Sequence, residues 1–105
     1  MNVGPQQMPD RFHPRVETDL TVKVLVNGRA YAARARDLSM AGLFLECEAP
    51  SHQTRFTVAL PLPDREVLTR CLVRRWEENG VGLEFEDLDW EDLFALARFL
   101  HPRLP

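Results

Sequence analysis

A stretch of alternating apolar and polar residues that ends in Asn27-Gly28 constrains the fold of this chain more than any other feature. Every second residue of the stretch is apolar, as in a strand that buries one face: Leu20, Val22, Val24 and Val26. Asn27 and Gly28 both tolerate a positive φ, which the tight turn of a two-residue hairpin requires. The stretch therefore predicts a β-hairpin, whose return strand has three side chains on one face: Tyr31, Ala33 and Ala35.

Further extended segments follow along the chain at fairly regular spacing. We predict strands over residues 43–47, 54–60, 66–76 and 81–85, separated by turns rich in glycine, proline or aspartate. The longest of them has alternate residues on one face: Val67, Thr69, Cys71 and Val73. About six short strands without a strand-helix-strand rhythm predict an antiparallel barrel or sandwich rather than a parallel sheet.

The hydrophobic period changes from 2 to 3.6 after Glu86, which predicts a C-terminal helix. Asp89 is the expected N-cap, and Pro102 is expected to end the helix. One stripe of the helix is apolar: Trp90, Leu93, Phe94, Ala97 and Leu100. We expect Trp90 and Phe94 to pack against the mouth of the barrel.

Length, charge and cysteine content narrow the class of protein. The chain has 105 residues, enough for one domain, and its net charge of −3 argues against nonspecific binding to a long nucleic acid. No apolar run is long enough to cross a membrane and no signal peptide is visible, so we expect a cytoplasmic protein without membrane insertion. Cys47 and Cys71 lack metal-ligand spacing and are expected to be reduced core thiols.

Two arginines lie four residues apart near the N-terminus, in the segment Arg11-Phe12-His13-Pro14-Arg15. Because Pro14 disfavours helical backbone at His13, we expect an extended segment with both guanidinium groups on one side, about 13 Å apart. Each arginine could then contact a different part of an elongated anionic ligand. The alternative is that both are solvated side chains of a flexible terminus.

A second cluster, Asp37-Leu38-Ser39-Met40-Ala41-Gly42, lies between two predicted strands. Asp37 and Ser39 are common turn residues, and Gly42 can supply a φ that other residues resist, so a plain turn accounts for the cluster. Alternatively, the Asp37 carboxylate accepts from a base N–H, the Ser39 hydroxyl binds phosphate or base, and Gly42 permits close approach. The cluster alone leaves both interpretations open.

Both clusters, in this order and about twenty residues apart, resemble the RxxxR and DxSxxG motifs of the PilZ domain family. The segments 34–45 and 80–85 also resemble the family's strands, and the resemblance covers roughly residues 9–100. It implies an all-β fold, a six-stranded antiparallel, Greek-key-like barrel with a C-terminal α-helix. Residues 1–16 would form a flexible arm that carries RxxxR, and residues 17–105 would form the barrel and helix.

The resemblance also implies a function, that of a stand-alone bacterial receptor for cyclic di-GMP. The implied ligand-binding residues are Arg11, Arg15, Asp37, Ser39 and Gly42, with no metal, no cofactor and no enzymatic activity. An arginine fork suits the phosphates and the O6 and N7 atoms of guanine, and the Asp37 carboxylate suits guanine N1–H and N2–H. Ligand binding would move the arm, and an effector protein would sense the change.

Several alternatives remain open from the sequence. The chain could be a PilZ-like interaction module of a motility or pilus assembly that binds no nucleotide. Single-stranded nucleic acid is a less favoured ligand because the chain is acidic. In the PilZ family the residue before the first arginine influences whether one ligand or a stacked pair is bound, and with Asp10 there the resemblance implies one ligand. Alternatively, Asp10 pairs with an arginine when no ligand is present. His13 is expected to face solvent. Trp76, with Arg74 and Arg75, could line the site, although a core or rim position is favoured for the tryptophan.

Overall fold

A computed structural model gives the structure of this chain and describes residues 13–48 and 54–104. The described part is mostly β. Its strands are β1 (Val16–Glu17), β2 (Thr21–Val26), β3 (Arg29–Leu38), β4 (Gly42–Glu46), β5 (Arg55–Pro61), β6 (Glu66–Glu77) and β7 (Gly80–Phe85). They are followed by one α-helix, α1 (Trp90–Leu100), and a 3-10 turn, His101–Arg103.

Six of the strands close into an antiparallel barrel. Around the barrel the order is β3-β2-β5-β6-β7-β4, and β4 pairs again with β3 to complete the circle. The short strand β1 pairs with the C-terminal end of β3. The all-β fold, the six-stranded barrel and the C-terminal helix are therefore confirmed, while the division into an arm and a barrel at residue 16 stays a prediction.

The hairpin between β2 and β3 forms as the sequence predicts. Asn27 has a φ of 51° and Gly28 a φ of 79°, so both residues of the turn have left-handed backbone. Val26 pairs with Arg29 directly beyond the turn. The turn thereby fixes the register that places Val22 and Val24 in the core.

Alternate residues of the strands fill the barrel. In β6 the predicted inner face is buried, with Thr69 as its polar member. The Thr69 hydroxyl donates to the Asp87 carboxylate at 2.7 Å, and the backbone N–H of Arg70 donates to the same oxygen at 2.9 Å. These two hydrogen bonds lower the pKa of Asp87, and the first of them satisfies the buried Thr69 hydroxyl.

Helix α1 closes one end of the barrel, but with a different face from the predicted one. Asp89 caps the helix in a reciprocal capping box with Asp92, as expected at the N-terminus. The buried face consists of Asp92, Ala95, Leu96, Phe99 and Leu100. The predicted packing of Trp90 and Phe94 is wrong, because their side chains are 75% and 61% exposed. A hydrophobic pattern does not predict this buried face, because it includes Asp92. The buried Asp92 carboxylate accepts from the Asp89 backbone N–H at 3.4 Å and lies 3.5 Å from the Arg65 guanidinium.

Both cysteines are free thiols, as predicted. Cys71 is buried in the barrel, and burial raises its thiol pKa to about 12. Cys47 is half-buried, and its pKa is also raised by burial. In the described part of the chain, no helix has the length and apolar character needed to span a membrane.

Candidate ligand-binding site

A β-bulge in β3 turns Asp37 outward. Ala35 pairs with Leu45 of β4, but Asp37 pairs with Phe44, so Arg36 is an extra residue between the two pairs. Strict alternation would have placed Asp37 on the buried face of Ala35. The bulge reverses the alternation, and the carboxylate therefore lies on the outer surface of the barrel.

The turn after Asp37 is held by the hydroxyl of Ser39. This oxygen accepts from the backbone N–H groups of Ala41 and Gly42, at 3.0 and 3.2 Å. The Ser39 backbone N–H donates to the Gly42 carbonyl at 2.9 Å. Ser39 is only 5% exposed, so its role in this structure is to shape the turn.

Gly42 is required by a close approach of two strands. Its φ is not positive, so the prediction that it supplies an unusual φ is wrong. A Cβ atom at this position would lie 1.9 Å from the carbonyl oxygen of Leu83 in β7. The absent side chain therefore lets β4 pair closely with β7 at the edge of the site.

The end of the N-terminal segment lies beside the same turn. Strand β1 pairs with β3 through Val16 and Leu38 and through Glu17 and Asp37. This pairing places the Arg15 guanidinium 3.7 Å from the Asp37 carboxylate. Arg11, Asp10 and the predicted separation of the two arginines lie outside the described residues.

These elements surround a cavity of about 270 Å³. Its polar lining includes His13, Arg15, Asp37, Ser39, Arg74, Arg75 and Glu84, and Gly42 and Gly82 also line it. Four of the five predicted binding residues are thus brought together, and the fifth, Arg11, is not described. His13 is half-buried and lines the cavity, and its predicted orientation toward solvent stays a prediction. Trp76 does not line the cavity and is partly exposed near the end of β6, as the rim interpretation requires.

A second bulge turns Arg75 outward on the far side of the same surface. Val73 pairs with Leu83, but Arg75 pairs with Gly82, which leaves Arg74 as the extra residue of β6. Because Gly82 also pairs with Phe44, one outer row of cross-strand neighbours runs from Asp37 through Phe44 and Gly82 to Arg75. The two bulges therefore place an acidic and a basic side chain on one surface.

Phe44, in the middle of this row, is fully buried although it lies outside the barrel core. The guanidinium carbon of Arg36 lies 3.8 Å from the centre of its ring, and that of Arg75 lies 5.9 Å away. Gly80 makes room for the ring, since a Cβ there would approach it to 2.7 Å. Sequence reasoning missed Phe44 and Glu84; the alternating glycines of Gly80-Val81-Gly82 are the signal that could have indicated an outer groove.

The cavity has the chemistry of a binding site for a polar, anionic ligand. Arginine donors suit phosphate oxygens, and the carboxylates suit N–H donors of a base. Arg74 is paired with Glu84 at 3.5 Å, and Arg75 with Glu77 at 2.7 Å. Among the described residues, no group of three or more His, Cys, Asp or Glu side chains could hold a metal ion.

Comparison with known protein families gives a match over residues 9–101, nearly the whole chain, to the PilZ domain. The chain belongs to the PilZ domain family. The predicted resemblance is confirmed, and the matched range includes both the arginine segment and the turn at Asp37. Comparison with curated protein sequences gives no match.

Several solved structures share the fold of this PilZ domain. The Bacillus subtilis inhibitor of motility, MotI/DgrA, superposes with a TM-score of 0.75 at 19% identity over 87% of this chain and 49% of its own. MrkH of K. pneumonia in its apo state superposes with a TM-score of 0.69 at 19% identity, over 98% of this chain and 50% of its own. PlzA of Borreliella burgdorferi, solved in complex with c-di-GMP, superposes with a TM-score of 0.64 at 12% identity, over 94% of this chain and 50% of its own. This PilZ domain therefore spans about half the length of these three proteins.

Proposed function

We propose that this PilZ domain is a receptor for cyclic di-GMP that acts as an adaptor and signals to an effector protein. The observation that carries the proposal is the cavity in which Arg15 lies beside Asp37 and the turn formed by Ser39 and Gly42. Membership of the PilZ family supports it. PlzA, a structural neighbour, is described in complex with this dinucleotide.

The chemistry of the ligand matches the groups at the cavity. Cyclic di-GMP carries two phosphodiester charges, which Arg11 and Arg15 would neutralise with charge-assisted hydrogen bonds. The Asp37 carboxylate would accept from guanine N1–H and N2–H. Adenine presents an acceptor in place of the N1–H, so the carboxylate would be left unpaired against it. Ser39 would act through the shape of the turn, and Gly42 through the close strand approach.

Ligand binding would replace contacts that exist without it. Asp37 lies 3.7 Å from the Arg15 guanidinium and 3.8 Å from that of Arg36. A phosphate would take the arginine and a guanine would take the carboxylate. Ordering the N-terminal arm would cost roughly 1–2 kcal/mol for each residue fixed, which the new charged contacts must exceed. The changed arm position and surface charge would be the signal that a cytoplasmic partner reads.

Isothermal titration with cyclic di-GMP tests the proposal. We expect binding at micromolar ligand, with GMP and cyclic di-AMP as controls for the guanine and for the cyclic dinucleotide. Arg11→Ala and Arg15→Ala should each weaken binding by about tenfold or more, the effect of losing one charged contact. Arg98→Ala is the matched control, because Arg98 pairs with Asp64 on the helix surface and does not line the cavity. No heat from the folded wild-type chain would refute the proposal.

A further inference from the structure

The motif residues alone do not give the cavity the positive charge that an anionic ligand requires. Of the described motif residues, Arg15 contributes one positive charge and Asp37 one negative charge, and Glu84 adds a second carboxylate. Arg11 would only neutralise this set. A ligand with two negative charges would therefore meet a neutral surface, which gives no net Coulomb attraction.

Arg74 and Arg75 change this balance. Both line the cavity, and with them the described lining carries three arginines against two carboxylates. Glu77, the partner of Arg75, and Arg36, which lies beside Asp37, are not part of the lining, and their charges offset each other. The described lining therefore has one net positive charge with Arg74 and Arg75 and one net negative charge without them. The two arginines of β6 thus supply the positive excess of the site.

The fold holds Arg75 in a defined place. Its Nε donates to Glu77 at 2.7 Å, and its Nη1 atom lies over Gly82, where a Cβ would be 3.1 Å away. Strands β4 and β7 separate β3 from β6, so Asp37 and Arg75 are three strand spacings apart, roughly 14 Å. The two ends of an elongated dinucleotide can therefore be contacted from the two sides of the cavity.

We infer that Arg74 and Arg75 form a second cationic wall of the site and bind a phosphate of the ligand through their charge. The inference rests on the proposed function and adds two binding residues to it. The bulge at Arg74 directs Arg75 toward the cavity, because without the bulge Arg75 would point into the barrel core. Phe44 and Gly82 form the surface on which the Arg75 side chain lies.

Titration of charge variants with cyclic di-GMP tests the inference. Arg74→Gln and Arg75→Gln should each weaken binding by about tenfold, since each loses one charged contact with phosphate. Arg75→Lys should retain affinity to within about threefold, because a phosphate accepts a point charge as well as a fork. Arg70→Gln is the matched control on the same strand, because Arg70 pairs with Asp87 away from the cavity. Its affinity should stay within about twofold of wild type.

A second variant tests the placement of Arg75 without removing its charge. Gly82→Ala puts a methyl group 3.0 Å from the Cγ of Arg75 and 3.1 Å from its guanidinium, so the Arg75 side chain must shift to make room. We expect weaker binding by about threefold to tenfold with little change in the midpoint of thermal unfolding. The melting temperature of every variant establishes that it is folded.

The outcomes separate this inference from the proposed function. If Arg15→Ala loses about tenfold and both glutamine variants of β6 bind like wild type, the second cationic wall is refuted and the receptor function stands. Equal losses in Arg75→Lys and Arg75→Gln would refute recognition through charge and indicate a bidentate contact with guanine instead. If the wild-type chain binds no cyclic di-GMP, both proposals fail.

Discussion

Replacing Gly42 with alanine tests whether the turn at the site depends on steric space or on backbone conformation. The new Cβ would lie 1.9 Å from the Leu83 carbonyl oxygen. Both residues belong to strands whose backbones are paired, β4 and β7. A flexible side chain cannot relieve this contact. The ends of β4 and β7 must therefore move apart.

The cost follows from the contacts that such a shift disturbs. Overpacking of this kind costs about 1–3 kcal/mol. The shift also strains two backbone hydrogen bonds, from Ser39 to the Gly42 carbonyl at 2.9 Å and from Phe85 to the Ala41 carbonyl at 2.8 Å. With about 2 kcal/mol for the overpacking and about half of the ~1 kcal/mol that each strained bond contributes, we expect Gly42→Ala to lower the free energy of unfolding by about 3 kcal/mol. For a domain of this size that lowers the melting temperature by roughly 12–24 °C.

Gly28→Ala is the matched comparison for this experiment. Gly28 has a φ of 79°, and no atom lies within 4 Å of the position that a Cβ would occupy there. The cost of alanine at this position is therefore backbone strain, without a steric clash. We expect it to cost about 1 kcal/mol. Urea and thermal unfolding of both variants, followed by circular dichroism, measure the two costs. A Gly42→Ala variant that is more stable than Gly28→Ala would refute the argument from close strand approach.

Two further predictions concern Asp87, an exposed carboxylate beside β6, and Cys71, a buried thiol. Asp87→Asn should lower the free energy of unfolding by about 0.5 kcal/mol at neutral pH, because the amide is a weaker acceptor for Thr69 and Arg70 than the carboxylate, and solvent screens this exposed group. Since the pKa of Asp87 is lowered in the folded chain, its stabilisation is present above the ordinary value of 3.8 and is lost as the pH falls through the lower folded value. Urea unfolding across this pH range should show the variant and wild type converging in acid; a constant difference would contradict the role of the carboxylate. Cys71, with a pKa of about 12, should resist alkylation in the native chain at neutral pH and react once urea unfolds it, as mass spectrometry can follow; rapid alkylation of the native thiol would contradict its burial.

The course of the strands could be predicted from local patterns. Asn27 and Gly28 favour positive φ by their own chemistry, and alternation in β2 and β6 identifies the inner face because a half-buried strand has a period of two residues. The capping residue Asp89 was also predictable, since its carboxylate bonds within its own turn. The inner face of α1 was not, because it includes Asp92, which a hydrophobic pattern assigns to solvent.

The candidate site was only partly predictable. The arginine segment and the turn at Asp37 are visible as motifs, and their resemblance to the PilZ family led to a membership that the family comparison shows. Phe44 was missed because a fully buried phenylalanine in a strand is ordinarily assigned to the core. Its burial on the outside depends on Arg36 and Arg75, which come from two other strands.

The sequence by itself determined the elements whose causes are local: the hairpin turn, the strands with their inner faces, and the start of the helix. Only the closed barrel decided which side chains meet, because β3 and β6 are brought onto one surface by β4 and β7 between them. The two bulges were equally beyond the sequence pattern. A bulge is a mismatch between paired strands, so the outward direction of Asp37 and Arg75 exists only once each strand has its partner.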